Sequence, residues 1–180
     1  MEIAENLIAN KDIINQRITE ARGRLRLHLG CGIHRLPGWV NIDVSDVCNP
    51  DIVCVISKGI PFHNKSITNI FSRDFMEHIP IGPNTFVINE CLRVLKKGGV
   101  AIHEVPDVLT RSDLAHQDPT HVSYYSFGWA YYWMKNHKSN RWEKYGKTYG
   151  YTPCRLVKVD YARDKATKKP TGWLRMVFYK

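Results

Sequence analysis

Leu25-Arg26-Leu27-His28-Leu29-Gly30-Cys31-Gly32, followed by Trp39-Val40-Asn41-Ile42-Asp43, is the stretch on which the fold turns. Alternating Leu25, Leu27 and Leu29 predict a buried strand, and Gly30 and Gly32 leave its end without side-chain bulk, so a ligand can approach bare backbone there. A second strand over Val40 to Ile42 then ends in the carboxylate of Asp43. Open parallel α/β sheets bind ligands outside the carboxyl ends of their strands, and an acid closing the second strand suits the two hydroxyls of a ribose. These features together predict a nucleoside-bearing cofactor.

A dinucleotide fits poorly. Its fingerprint needs a third glycine where a helix packs close to the strand, and here that stretch reads Ile33-His34-Arg35. The acid of that fingerprint also comes about 20 residues after the glycines, whereas Asp43 follows much sooner. The chain instead resembles the class I S-adenosylmethionine-dependent methyltransferases, in particular a compact type-11-like subfamily. The resemblance rests on the strand-Gly-Cys-Gly turn, Pro37-Gly38-Trp39, Asn41-Ile42-Asp43, Gly59-Ile60-Pro61-Phe62, Glu77-His78, Arg93 to Gly99, Val105-Pro106-Asp107 and Asp118-Pro119-Thr120-His121. It covers about Leu25 to Phe127. It implies an α/β Rossmann-like fold with a mostly parallel seven-stranded sheet, reduced helices and a C-terminal antiparallel hairpin.

Composition agrees with one globular domain over residues 1–180. Hydrophobic residues make up 43% and charged residues 24%, which is ordinary for a chain that buries a single core. No apolar run reaches a membrane span and the N-terminus has no secretory pattern, so a cytoplasmic chain is expected. The cysteines Cys31, Cys48, Cys54, Cys91 and Cys154 form no Cys-x-x-Cys pair and are expected as reduced thiols. The net charge of +9 is uneven: residues up to Met134 carry −1 and those from Lys135 onward carry +10. Such a basic quarter attracts anionic substrates or nucleic acid.

The apolar spacing of Ile3, Leu7, Ile14 and Ile18 predicts an N-terminal helix within residues 1–23, stopped by Gly23. A cofactor-binding core is expected over 24–134 and a basic part with the last two strands over 135–180. Asp51 to Ile56 and Ile67 to Ser72 read as strands three and four, Thr85 to Lys97 as the clearest helix, and Val100 to Val105 as strand five. Lys96 and Lys97 then occupy a last helical turn with Gly98 as its stop. Ser123 to Asn136 reads as an aromatic helix, and Arg155 to Tyr161 and Trp173 to Tyr179 as a terminal strand pair. One feature strains this scheme. The link from Gly32 to Trp39 is shorter than the dozen or so residues a parallel crossover needs.

The resemblance implies Gly30, Cys31 and Gly32 as backbone contacts to S-adenosylmethionine, Asp43 as the ribose acid, Val44 beside the adenine, and Ser72 near the methionine part. Two positions depart from its pattern. His28 stands where an acid is usual on strand one, and Val55 stands where an aspartate usually accepts the adenine amino group. An imidazole at His28 can orient the turn or meet the methionine ammonium only if neutral. Ser72-Arg73-Asp74-Phe75 lacks the Asn/Asp-Pro-Pro-aromatic tetrad of enzymes that methylate nucleobase amines.

Methyl transfer from a sulfonium asks the protein mainly to align the reactants and remove one proton. His116-Gln117-Asp118-Pro119-Thr120-His121 follows strand five on the sheet edge where the methyl group should point. His121 is the expected general base, with Asp118 orienting it and His116 beside it. Two histidines and an aspartate on a proline-containing loop are weak grounds for a metal, and none is expected. The function that follows is O-methylation of a small-molecule or glycan-type acceptor. The alternatives are methylation of RNA or DNA through the basic C-terminal part, and S-adenosylmethionine binding without transfer.

Overall fold

A computed structural model of the chain describes residues 8–9 and 11–180. Its centre is one twisted sheet of strands β1 (Ile8–Ala9), β2 (Arg26–Leu29), β3 (Val40–Asp43), β4 (Ile52–Val53), β5 (Ile67–Arg73), β6 (Leu95–Pro106), β7 (Leu156–Arg163) and β8 (Pro170–Tyr179). The order is β1-β4-β3-β2-β5-β6-β8-β7. Strands β2 to β6 run parallel, β8 pairs antiparallel with β6, and β7 closes the edge as a hairpin with β8. The expected seven-stranded, mostly parallel architecture with its antiparallel hairpin is therefore present, extended by the two-residue β1 against β4. Among the described residues three α-helices accompany it: α1 (Lys11–Glu20), α2 (Ile81–Val94) and α3 (Ser112–Gln117).

Chain direction reverses at β2. The chain steps outward through β3 and β4, then returns to place β5 and β6 on the other side. This is the topological switch point at which open α/β sheets leave a crevice beyond the strand ends. The core beneath it is made by Leu27, Leu29, Val40, Ile42, Ile67 and Ile70 of the sheet with Val87, Ile88, Cys91 and Leu92 of α2, all essentially inaccessible.

The short connection from β2 to β3 is parallel despite having no helix. Three of its backbone polar groups are satisfied by one side chain. Asn41, 1% exposed, accepts from Leu36 N–H at 2.8 Å and donates to the carbonyls of Leu36 and Trp39, each at 3.2 Å. The same amide donates to Asp51 Oδ2 at 3.0 Å, and Asp51 also takes the Asn41 backbone N–H and the Arg35 guanidinium. A buried backbone group without such a partner is costly, so Asn41 and Asp51 do the work a crossover helix would otherwise do.

Several elements differ from the sequence reading. Of the expected N-terminal helix, Ile3 and Leu7 lie outside the described residues, Ile8 and Ala9 form β1, and α1 buries Ile14 against the core. The third strand is only Ile52–Val53: after Cys54 N–H bonds Asp43 the chain bends, and Val55 enters a short turn. Helix α2 begins at Ile81, because Pro83 falls in the first turn where no amide is needed. It ends at Val94 rather than Lys97. Leu95 is already extended and pairs with Ile67, and Lys96 to Gly99 bulge out of the ladder before Val100 pairs with Asn69. The positive φ of Gly98, +80°, serves that bulge and not a helix stop.

The aromatic segment Ser123 to Asn136 is also not a long helix. Only Trp129–Trp133 forms a 3-10 turn. Before it the backbone is drawn aside by Tyr125, whose hydroxyl donates to Met76 O at 2.9 Å, and by Ser123, whose hydroxyl donates to Ile79 O at 2.5 Å. Tyr125 and Trp133 are core residues, and Trp133 stacks on Tyr151. All five cysteines are free thiols. Among the described residues no helix is long and apolar enough to cross a membrane.

Replacing Asn41 with Ala strands several buried donors and acceptors of the crossover. We expect Asn41→Ala to lower the unfolding free energy by about 2–4 kcal/mol, read from urea denaturation monitored by tryptophan fluorescence.

Candidate functional site

A hollow of about 380 Å³ opens at the carboxyl ends of β2, β3, β4 and β5. That volume lies within the roughly 300–1,000 Å³ range of small-molecule sites. Its walls are Gly30 and Gly32 from the bend after β2, Asp43 and Val44 after β3, Cys54 to Ser57 after β4, and Asp74, Phe75, His78 and Ile79 after β5. A larger hollow of about 610 Å³ lies at the opposite end of the sheet, beside Arg17, Glu20, Arg24 and Arg26. The first one occupies the switch-point crevice and collects the residues singled out in the sequence.

The glycine bend works differently from the sequence expectation. Its amides are not bare: Cys31 N–H donates to Ile42 O at 3.1 Å, and Gly32 N–H donates to Asp43 Oδ2 at 2.8 Å. The Cys31 side chain turns into the core, where burial raises its thiol to about 11. The bend instead supplies room. Gly30 and Gly32 have φ of +61° and +48°, and a Cβ on Gly30 would collide with the Phe75 ring.

Asp43 is half-buried on the wall. Ser45 N–H reaches its Oδ1 at 3.0 Å while Gly32 holds Oδ2, so each oxygen has one internal donor. A carboxylate has about four lone-pair positions, which leaves two for a ligand's hydroxyls. Val44 is 65% exposed at the rim, and Val55 forms the facing apolar wall next to Ser57.

His28 and Ser72 sit behind the wall. His28 is buried, and because Asn41 Oδ1 is an acceptor, the 3.2 Å contact fixes the proton on His28 Nδ1. Burial, partly offset by Asn41, lowers its basicity, so the ring is neutral as the sequence argument required. Ser72 is fully buried and its hydroxyl lies 2.8 Å from His103 Nδ1. The lining at the end of β5 comes from Asp74 and Phe75 instead, and the turn there is set by the left-handed Asp74, φ +49°, which accepts from the Trp173 indole.

The acceptor-side residues divide. His121 Nδ1 donates to Ala115 O at 2.9 Å, and its Nε2 is 4.0 Å from Asp118. Asp118 is held by the amide and hydroxyl of Thr120, at 2.8 and 2.6 Å, which also keep its acidity above the ordinary. His116 is turned away to Ser112 and stacks on Tyr124, and no hydrogen bond brings it to His121. What faces His121 is His78, with ring centres 4.8 Å apart in an edge-to-face arrangement.

Glu77 completes this corner, a role the sequence reading did not give it. It lies in the 3-10 turn Met76–His78, is 2% exposed, and neither carboxylate oxygen has a hydrogen-bond partner. Burial raises its pKa to about 8, and the charges of Asp74 and Asp118 add to the effect. The nearby amides of Phe75 and Glu77 offset only part of it, and neither reaches hydrogen-bond geometry. The corner is assembled by backbone: Glu77 O accepts the amides of Val122 and Ser123 at 2.9 and 3.0 Å, which fastens the His121 loop to the turn after β5.

The sequence matches no family model and no curated protein. The fold does match solved structures. A SAM-dependent methyltransferase from Archaeoglobus fulgidus aligns with a TM-score of 0.56 at 14% identity, over 94% of this chain and 92% of that one. A Pyrococcus horikoshii protein aligns at 0.54 and 15% identity, covering 94% and 88%. An N-methyltransferase from Haemonchus contortus, in complex with phosphomonomethylethanolamine and S-adenosylhomocysteine, aligns at 0.50 and 18% identity, over 92% of this chain and 52% of that one. The fold is that of the class I S-adenosylmethionine-dependent methyltransferases.

His103 provides a pH test of the layer behind the hollow. Burial lowers it to about 4 from an ordinary 6.5, and its Nε2 has no partner. Between those values the unfolded chain binds a proton that the folded chain refuses, so stability falls as pH drops through that window. His103→Gln should make the fall in unfolding free energy between pH 6.5 and 4 shallower than in the parent, measured by denaturant titration at each pH.

Proposed function

We propose that this chain binds S-adenosylmethionine in the switch-point hollow and methylates an oxygen of a small-molecule or glycan-type acceptor. The observation that carries the reading is the open hollow itself: it is the right size, it lies where the fold places nucleoside ligands, and Asp43 keeps two acceptor positions free on its wall. Bound there, the cofactor would supply an activated methyl group on a sulfonium.

The chain's own residues would do the rest. Asp43 grips the ribose hydroxyls. Val44 and Val55 sandwich the adenine by apolar contact, and Ser57 is the polar group placed to take over from the missing aspartate. Gly30, Cys31 and Gly32 keep the floor low, while neutral His28 holds the bend through Asn41 from behind. Phe75 closes the side facing Gly30 and excludes water from the reacting atoms. Acceptor activation falls to the corner of Glu77, His78 and His121. There His121, with Nδ1 committed to Ala115, turns its other nitrogen into an acceptor site, and Asp118 steadies the corner through Thr120. Ser72 and His116 act on the layer behind and on the outer loop.

Oxygen is favoured over a nucleobase amine because Ser72-Arg73-Asp74-Phe75 offers no paired amide and proline carbonyl to an exocyclic amine. The basic C-terminal part supports the nucleic-acid alternative. Its exposed turn carries Lys165, Lys168 and Lys169. RNA binding that weakens steeply with salt would favour that alternative over a small acceptor.

Asp43→Ala should weaken S-adenosylhomocysteine binding at least tenfold in calorimetry, the scale of a lost charge-assisted hydrogen-bond pair; unchanged affinity would remove the ribose assignment. His121→Ala should bind the same nucleoside within about twofold of the parent yet lose turnover with any acceptor found. Full activity in that variant would take His121 out of the reaction.

A further inference from the structure

The corner beyond Phe75 has an unusual balance of donors and acceptors. One ligating atom from each of Glu77, His78 and His121 can be chosen so that all three lie within 4.8 Å of one another. Thr120 Oγ1 gives its proton to Asp118, so the 3.0 Å contact from His78 Nδ1 must be donated by the imidazole. His121 Nδ1 likewise donates, to the Ala115 carbonyl. In the neutral form of each ring the lone pair is therefore on Nε2. Both oxygens of Glu77 are buried and receive no hydrogen bond. When Glu77 ionises, three electron-pair donors converge, and a cation among them satisfies the cluster where a proton otherwise would.

We propose that Glu77, His78 and His121 bind a divalent first-row transition-metal ion, with its remaining positions open toward the hollow. Two imidazoles and one carboxylate suit such ions better than magnesium or calcium, which favour all-oxygen sites. Ligands about 2.0–2.2 Å from a tetrahedral metal lie roughly 3.3–3.6 Å apart, so closing the trio draws its atoms together by at most about 1.5 Å, within reach of small side-chain rotations. The surroundings have the second layer that metal-bound histidines need. His121 donates its other ring proton to a carbonyl, and His78 donates through Thr120 to the Asp118 carboxylate.

The ion's chemical role rests on the methyl-transfer reading, although its binding does not. An acceptor hydroxyl coordinated to the ion would release its proton to water more readily. As the oxygen lone pair forms the bond to the methyl carbon, the sulfur–carbon bond breaks and its electron pair stays on sulfur; the ion is unchanged. His121 then acts through the ion and not as the base itself. Two adjacent oxygens on the acceptor, a vicinal diol or catechol, would fill two open positions and fix which one meets the methyl group.

The test is calorimetric titration of the chelator-treated full chain with Mn²⁺, and separately with S-adenosylhomocysteine. One saturable Mn²⁺ per chain is expected, weakened at least tenfold in Glu77→Gln and in His78→Ala, and unchanged in His63→Ala, which removes an exposed imidazole elsewhere. Circular dichroism and thermal melts verify that the variants fold, and Glu77→Gln preserves side-chain volume. Asp43→Ala should keep Mn²⁺ binding while losing the nucleoside. Absence of saturable Mn²⁺ in folded parent protein, or full Mn²⁺ affinity in both ligand variants, overturns the ion site. Saturable Mn²⁺ with no nucleoside binding upholds the ion site and defeats the methyltransferase reading.

Discussion

Two parallel strands joined by a short loop persist only if the loop's buried backbone groups find partners, and in this chain the Asn41 amide supplies those that the loop's own turns do not. Asn41 ties Leu36 and Trp39 back to β3, and Asp51 anchors both Asn41 and Arg35. The hollow depends on this arrangement. The stapled loop joins Gly30 and Gly32 at one end to Asp43 beyond the other, and all three line the hollow. It also locates the two groups that serve the site from behind. His28 is oriented by the same Asn41 oxygen, and Gly32 is held by Asp43 itself.

The opposite wall is built on a different principle. There the polar groups are not all satisfied within the protein, and Glu77 remains buried with two unmet oxygens beside two imidazoles. The two histidines and the loop that carries His121 are tied, through Ala115, Thr120 and the amides of Val122 and Ser123. Asn84 Oδ1 and His103 Nε2 are also buried without a partner, but Glu77 alone leaves both oxygens of a carboxylate unmet beside two imidazoles, the pattern expected where a ligand is to be received.

Much of the fold is legible in the sequence because it rests on local pattern. Leu25 to Gly32, Val40 to Asp43 and Ile67 to Ser72 announce strands by alternation or continuous apolarity, and the terminal hairpin does so as well. The errors share a cause. Val94 to Gly99 has helical spacing, and nothing local reveals that Leu95 will instead pair with Ile67. The aromatic run after Ser123 has a helical face, yet its hydroxyls are claimed by carbonyls of the distant Met76–Ile79 turn. In the site, Asp43 and the glycines are readable because they sit at strand ends. The meeting of Glu77 and His78 with His121 is not, since it is made by backbone hydrogen bonds between segments far apart in the chain. His116, close to His121 in sequence, is directed elsewhere by Ser112 and Tyr124.

The fastening of the Val122–Ser123 amides to Glu77 O, with Tyr125 and Ser123 clasping Met76 and Ile79, makes the two loops beyond β5 and β6 a single mechanical unit. Grafting either loop alone from a relative would sever the clasp and dismantle the pocket it was meant to retune. Engineering of selectivity has to exchange both loops as a pair, or leave them intact and vary the exposed rim at Val44.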